Sequence, residues 1–189
     1  FTAALFAYTY QNFQQSFTDN QTLESQTVTV GDSNMFGFES TIDYVFDDSL
    51  RVGANLGLLD AEFDKNTNVG SRFDYGGNTF RLAPELSAAF FFNKSVKIQH
   101  FNVAFDLISS YQTETFFESS NRPDLAQDAY WLTDVSIKLS KENSPWKVEL
   151  YADNLLDEDY IIDAGNTGGG FGLPTFVAGM PFIAGVRVY

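Results

Sequence analysis

Along this chain apolar and polar residues alternate with a period of two over long stretches, the pattern of an extended strand with one apolar and one polar face. The clearest stretch sets Leu50, Val52, Ala54, Leu56 and Leu58 against Arg51, Gly53, Asn55 and Gly57. Just before it, Phe36, Phe38, Ile42, Tyr44 and Phe46 share one parity, and Gly37, Glu39, Thr41 and Asp43 the other. Only Asp47 and Asp48 separate the two runs, which reads as a tight hairpin. Continued along the chain, the pattern predicts eight strands, near residues 2–17, 33–46, 49–62, 81–92, 95–111, 129–140, 146–158 and 180–189. In the fifth, Val96 and Ile98 lie on one parity and Phe101, Val103, Phe105 and Leu107 on the other, so a bulge near Gln99 is expected.

Most of these strands exceed the ~5–6 residues common in soluble proteins and reach the ~9–11 that a tilted strand needs to cross a bilayer. The links alternate long and short: 18–32, Asp47-Asp48, 63–80, Asn93-Lys94, 112–128, 141–145 and 159–179. Outer-membrane barrels carry short periplasmic turns and long extracellular loops. The expected fold is therefore all-β, an antiparallel transmembrane β-barrel with about eight strands in this chain. Residues 47–48, 93–94, 141–145 and the end at Tyr189 are expected at the periplasmic side.

The parity assigns faces. Phe6, Tyr8, Tyr10, Phe36, Phe38, Tyr44, Phe46, Phe90, Phe92, Phe101, Phe105 and Trp131 are expected to face lipid as aromatic girdles. Glu39, Thr41, Asp43, Arg51, Asn55, Asn102, Asp106, Asp134, Lys138, Glu149, Tyr151 and Asp153 are expected to line the lumen, where hydration and packing are their plainest roles and contact with a plug the functional one. The competing fold under the same period is a soluble β-sandwich or lipocalin-like barrel, with the apolar parity turned to a core.

Composition narrows the classes. The 189 residues are 44% hydrophobic and 16% aromatic, yet mean hydropathy is −0.16, so apolar residues are dispersed. The longest nearly apolar run, Leu86 to Phe92 with Ser87 inside it, is far short of the ~18 residues of a membrane helix. Twenty Phe and nine Tyr favour strands. A net charge of −14 with only 11 scattered basic residues argues against nucleic-acid binding. No basic-then-apolar leader opens the chain, so Phe1 is expected not to be a native start and the sequence to be a piece of something longer.

Several segments resemble the closing strands of TonB-dependent outer-membrane receptors. Asn154-Leu155-Leu156-Asp157-Glu158-Asp159-Tyr160 resembles the family's Asn-Leu-x-Asp-x-x-Tyr signature, whose Asn154, Leu155, Asp157 and Tyr160 are read as structural. Met35-Phe36-Gly37-Phe38-Glu39 and Leu82-Ala83-Pro84-Glu85 resemble two of its strand openings, and Gly185-Val186-Arg187-Val188-Tyr189 its final strand. Two departures are a missing terminal Phe, which points to truncation, and Phe182 after Pro181 where an Arg is common. The resemblance implies the last eight strands of a 22-stranded barrel. It also implies outer-membrane lipid and lipopolysaccharide as surroundings, an N-terminal plug domain and TonB as partners, and import of a scarce large nutrient such as a ferric siderophore. A self-contained eight-stranded barrel serving adhesion or membrane integrity, and a passive porin, stand as alternatives.

Enzyme chemistry finds little material, because one His and no Cys remove thiol catalysis and most zinc arrangements, and His100 has lumen parity. Asp157, Glu158, Asp159 and Asp163 lack the spacing of a dedicated calcium loop, and the glycines at 165–172 lack the Lys-Ser/Thr of a phosphate loop. No cofactor is expected. Ligand contact is expected from the long loops, where Arg72, Phe73, Tyr75, Phe116, Phe117, Arg122 and Phe171 offer cations and aromatic surfaces to an anionic or aromatic chelate.

Overall fold

The computed structural model describes residues 1–18, 24–165 and 173–189. Among these residues twelve strands run in chain order: β1 Thr2–Thr18, β2 Ser25–Asp47, β3 Leu50–Phe63, β4 Leu86–Ile98, β5 Phe101–Gln112, β6 Thr115–Phe116, β7 Ala126–Gln127, β8 Tyr130–Lys141, β9 Lys147–Asp153, β10 Ile161–Gly165, β11 Thr175–Ala178 and β12 Ile183–Val188. Eight of them form one antiparallel sheet in the order β1-β2-β3-β4-β5-β8-β9-β12, and β6-β7 and β10-β11 are small hairpins within two of the long loops. No pairing joins β1 to β12 among the described residues, so the sheet is open at both edges.

The links alternate as the sequence predicts, with corrections to two of them. Of the first long link, 18–32, residues 25–32 belong instead to β2, whose Ser25–Gly31 stretch pairs with Phe13–Thr18 of β1, because Thr27, Val28, Thr29 and Val30 are β-branched residues suited to a strand. The second short turn is Gln99-His100, not Asn93-Lys94: β4 runs on through Asn93 and Lys94 to Ile98, which pairs with Phe101. Gln99 takes a left-handed φ of 54° to make the two-residue turn. The parity break between Ile98 and Phe101 is therefore the turn itself, and β4 pairs with β5 in unbroken register without a bulge. Strand β4 begins at Leu86, later than the expected residue 81, because Arg81–Glu85 belong to the preceding loop. His100 moves from the lumen parity to this exposed turn, its Nδ1 3.7 Å from Glu142.

Register defines two faces. Phe38, Leu58, Ala54, Phe90, Ser109 and Thr133 lie on one; Glu39, Asn55, Asp106 and Tyr151 lie on the other. On the first, Phe36, Tyr44, Phe90, Trp131, Leu150 and Val186 are exposed. A sheet-wide apolar surface far exceeds the few hundred Å² that monomers in water expose, so this face demands an apolar covering. No second layer packs over it among the described residues, which removes the soluble sandwich. No described helix is long and apolar enough to cross a membrane.

Strand β1 brings a further correction. Phe6 lies opposite Gly37, Tyr8 opposite Met35 and Tyr10 opposite Ser33, so these three rings stand on the polar face, with Glu39 and Thr41. Ala3, Leu5 and Ala7 supply the apolar face instead, opposite Ser40, Phe38 and Phe36. Beyond Tyr10 a bulge is formed by Asn12 (φ 56°) and Gly31 (φ 115°), with the Asn12 amide donating to Asp32 Oδ1 at 2.8 Å. The bulge shifts parity by one, so Phe13 meets Tyr10 edge to face at 6.1 Å, on the same side.

Candidate functional site

All twelve residues expected to line a lumen share the polar face. Toward the short-turn end they form ion-paired belts. Arg51 donates to both carboxylate oxygens of Asp43, at 2.9 and 2.6 Å, and stacks over Phe91 at 5.4 Å. Across β4, β5, β8, β9 and β12 runs a second chain of contacts. The Asn93 amide and Ser136 hydroxyl donate to Asp106, and Lys138 joins Asp106 (2.8 Å) to Glu149 (3.8 Å). Arg187 and the Tyr189 hydroxyl donate to Glu149 at 3.3 and 2.7 Å. Glu149 is only 6% exposed, which its two hydrogen-bond donors and the nearby Lys138 ammonium make tolerable. Higher up the face, small residues leave a hollow between Glu39, Thr41, Asn55, Ser87, Ser110 and Gln112.

Toward the long-loop end the same face turns aromatic. Phe6, Tyr8, Tyr10 and Phe13 follow one another at 5.6, 6.4 and 6.1 Å between ring centroids. Phe13 touches Phe63 (5.8 Å) and Phe80 (5.2 Å), and Phe63 touches Tyr75 at 6.0 Å. Phe73 then lies 6.5 Å from Tyr75, with the Arg72 guanidinium over its ring at 5.9 Å. Three expected ligand residues are thus joined to a ring column that the sequence reading missed. Residues 3–8 are apolar on both parities, and only the pairing with β2 decides which set turns inward.

The long loops are laced together. Asn121 Oδ1 accepts from the Thr79 amide at 2.7 Å and its Nδ2 donates to the Thr79 carbonyl at 3.0 Å. Asn78 donates to the Ser119 carbonyl, and Ser119 to Gln15 Oε1, both at 2.9 Å. The amide of Ile161 donates to Gln127 Oε1 at 2.7 Å. Phe117 (3% exposed) packs with Leu125, Ala164 and Ile161 in the small core these loops share. Its ring is thereby engaged in packing and unavailable to a ligand. Phe116 is half-buried, and Arg122 is held by Asp124 in a bidentate pair. This pairing keeps the Asp124 carboxyl below its ordinary pKa. Burial, with Glu118 nearby, raises the Tyr75 phenol above its ordinary value. Phe171 lies outside the described residues, as do the glycines at 166–172.

The Asn-Leu-x-Asp-x-x-Tyr segment closes β9. Asn154 (φ 48°) donates to the carbonyls of Glu158 and Met180 at 2.9 and 3.0 Å, and accepts from the Glu158 amide at 2.9 Å. Asp157 accepts from the Phe182 amide at 3.1 Å, and the Tyr160 hydroxyl from the Met180 amide at 3.1 Å. Leu155 stays exposed at the rim while its amide donates to the Thr133 carbonyl. These bonds tie the end of β9 to the approach to β12.

Charge is unevenly placed. The long loops carry Asp64, Asp74, Glu85, Glu114, Glu118, Asp124, Asp128, Asp157, Glu158, Asp159 and Asp163 against Lys65, Arg72, Arg81 and Arg122. Lys94, Lys97, Lys141 and Lys147 sit toward the short turns, with Lys97 paired to Glu142. No three metal-ligating groups converge among the described residues, so the loop carboxylates form no evident calcium site.

The family model for the TonB dependent receptor-like β-barrel matches residues 1–155. Among solved structures, the ferric yersiniabactin uptake receptor FyuA from Yersinia pestis superposes with a TM-score of 0.82 at 19% identity, over 98% of this chain and 26% of the receptor. The ferric preacinetobactin receptor BauA from Acinetobacter baumannii gives 0.70 at 16% identity, over 98% and 26%. The siderophore receptor PiuA from Acinetobacter baumannii gives 0.69 at 18% identity, over 99% and 26%. The chain thus spans about a quarter of the length of each of these receptors.

Proposed function

The chain belongs to the TonB-dependent receptor β-barrel family, and from that premise we propose that it forms the C-terminal wall of an outer-membrane receptor that imports a ferric siderophore or similar metal chelate. The apolar face contacts outer-membrane lipid and lipopolysaccharide. The polar face lines a lumen filled by an N-terminal plug, and the laced loops face the medium. TonB supplies the energy. The observation that carries this reading is one sheet with an exposed aromatic apolar face, an ion-paired opposite face and every long loop at one end. That arrangement has a use only where one face meets hydrocarbon and the other a plugged or wet interior.

The test is uptake. Iron-starved cells are given ⁵⁵Fe-labelled chelates with and without the gene, and with and without a proton uncoupler. Gene-dependent uptake that the uncoupler abolishes is the expected result. Uptake that persists in uncoupled cells, or a large ligand-independent conductance of the purified protein, would leave a passive pore. An intact mass near 21.1 kDa for the protein from its native membrane would instead leave a self-contained small barrel.

A further inference from the structure

The ring column on β1 serves neither the sheet's apolar face nor the ion-paired belt. Tyr8 and Tyr10 stand on the polar face 54% and 43% exposed, Tyr8 across from Met35 and Ala61 and Tyr10 across from the buried Ser33 and Phe63. The column begins beside Gly37 and climbs through Phe13, Phe63 and Tyr75 to the long loops, where a solute from the medium would arrive. The belt that could grip a polar plug lies instead toward the short turns. Around the column's upper end the long loops carry more carboxylates than cations, Arg122 being engaged by Asp124 and Arg72 lying over the ring of Phe73.

We propose that Phe6, Tyr8 and Tyr10 form a stacking track for a ring-bearing ligand with no net negative charge, in place of an anionic chelate drawn in by arginine. The proposal rests on the receptor reading above, in which the polar face points inward. Flat rings gain by offset stacking on exposed tyrosines, and successive rings 5.6 to 6.4 Å apart offer a moving ligand a new partner before the last is lost. An acidic mouth repels anions and admits neutral or cationic solutes.

The experiment uses the full-length receptor in detergent and three ⁵⁵Fe probes. These are the neutral tris(8-hydroxyquinolinate), the trianionic tris-catecholate and the ringless cationic trihydroxamate ferrioxamine B. The neutral aromatic probe should bind most tightly. Tyr8→Ala with Tyr10→Ala should weaken it by roughly tenfold per ring removed. Tyr8→Phe with Tyr10→Phe should keep affinity within about threefold, since the rings remain. Should the alanine variant fail the heat-shift test of a folded barrel, Tyr8→Leu with Tyr10→Leu keeps apolar volume without rings and should lose affinity likewise. Unchanged affinity in the ringless variants would overturn the track, as would tighter binding of the trianion. A new ion conductance with unchanged affinity would mean that the rings seat the plug, which also overturns it. If the wild-type receptor binds none of the three, the receptor reading fails first and the track with it.

Discussion

Arg187 lies over the ring of Tyr151 with its guanidinium carbon 3.7 Å from the centroid, while the same guanidinium donates to Glu149 at 3.3 Å. The two contacts hold the last strand to β9 on the polar face. Arg187 is half-exposed, so the ion pair alone adds little, and the stacking contact should add about 0.5–1 kcal/mol. A double-mutant cycle of Arg187→Ala and Tyr151→Ala, read by urea unfolding in lipid vesicles, should return a coupling of that size. A coupling indistinguishable from zero would sink this account. Arg187→Lys should behave more like the alanine variant than like wild type, because an ammonium lacks the planar fork.

Phe6 covers Gly37 so closely that a Cβ there would sit 2.1 Å from the ring edge. Gly37→Ala must therefore push the ring away, at a cost of about 1–3 kcal/mol. Removing the ring should relieve that cost: in a Phe6→Ala background, Gly37→Ala should be nearly neutral. Equal penalties in both backgrounds would mean that the ring does not set the constraint.

Much of this architecture is legible in the residues themselves. Alternation at Leu50 to Leu58 and Phe36 to Phe46 places β2 and β3 and their faces, because each strand has one parity clearly more polar than the other. It fails where that contrast fades. In β4 the pair Asn93-Lys94 looks like a turn, but as part of the strand Asn93 donates to Asp106 and Lys94 to Ser49. The true turn at Gln99-His100 has neither Gly nor Asp to announce it. In β1 both parities are apolar, so face follows from long-range register that no local pattern encodes. The loop cap is opaque for a similar reason, since Asn121 finds Thr79 across 42 residues.

Tyr75 offers a test by pH. Burial first, and then the charge of Glu118, hold its phenol protonated above the ordinary value near 10.0, with Arg72 opposing. The folded state therefore keeps a proton that the unfolded chain has lost. Stability from this source is intact below the ordinary tyrosine pKa and is lost as pH rises through the higher folded value. The 295 nm titration of wild type minus that of Tyr75→Phe should give a midpoint above 10.0. In Glu118→Gln the midpoint should fall back toward that value. A difference titration centred at or below the ordinary value would refute the burial of this ring under the loop.

Asn121 satisfies both backbone groups of Thr79 through one side-chain amide, as a neighbouring strand would. Its left-handed φ of 47° is one that asparagine tolerates better than most residues. Asn121→Ala removes both bonds and adds backbone strain, so the local opening of the loops should become easier by about 2–3 kcal/mol. Hydrogen exchange should reveal it as roughly 30- to 150-fold faster exchange at the Thr79 amide and in its partner segment 115–127, with strands β3 and β8 unchanged. Asn121→Asp keeps the acceptor for the Thr79 amide but loses the donor, and should fall between the two. If exchange quickened equally in the strands, the residue would be supporting the sheet and not joining two loops.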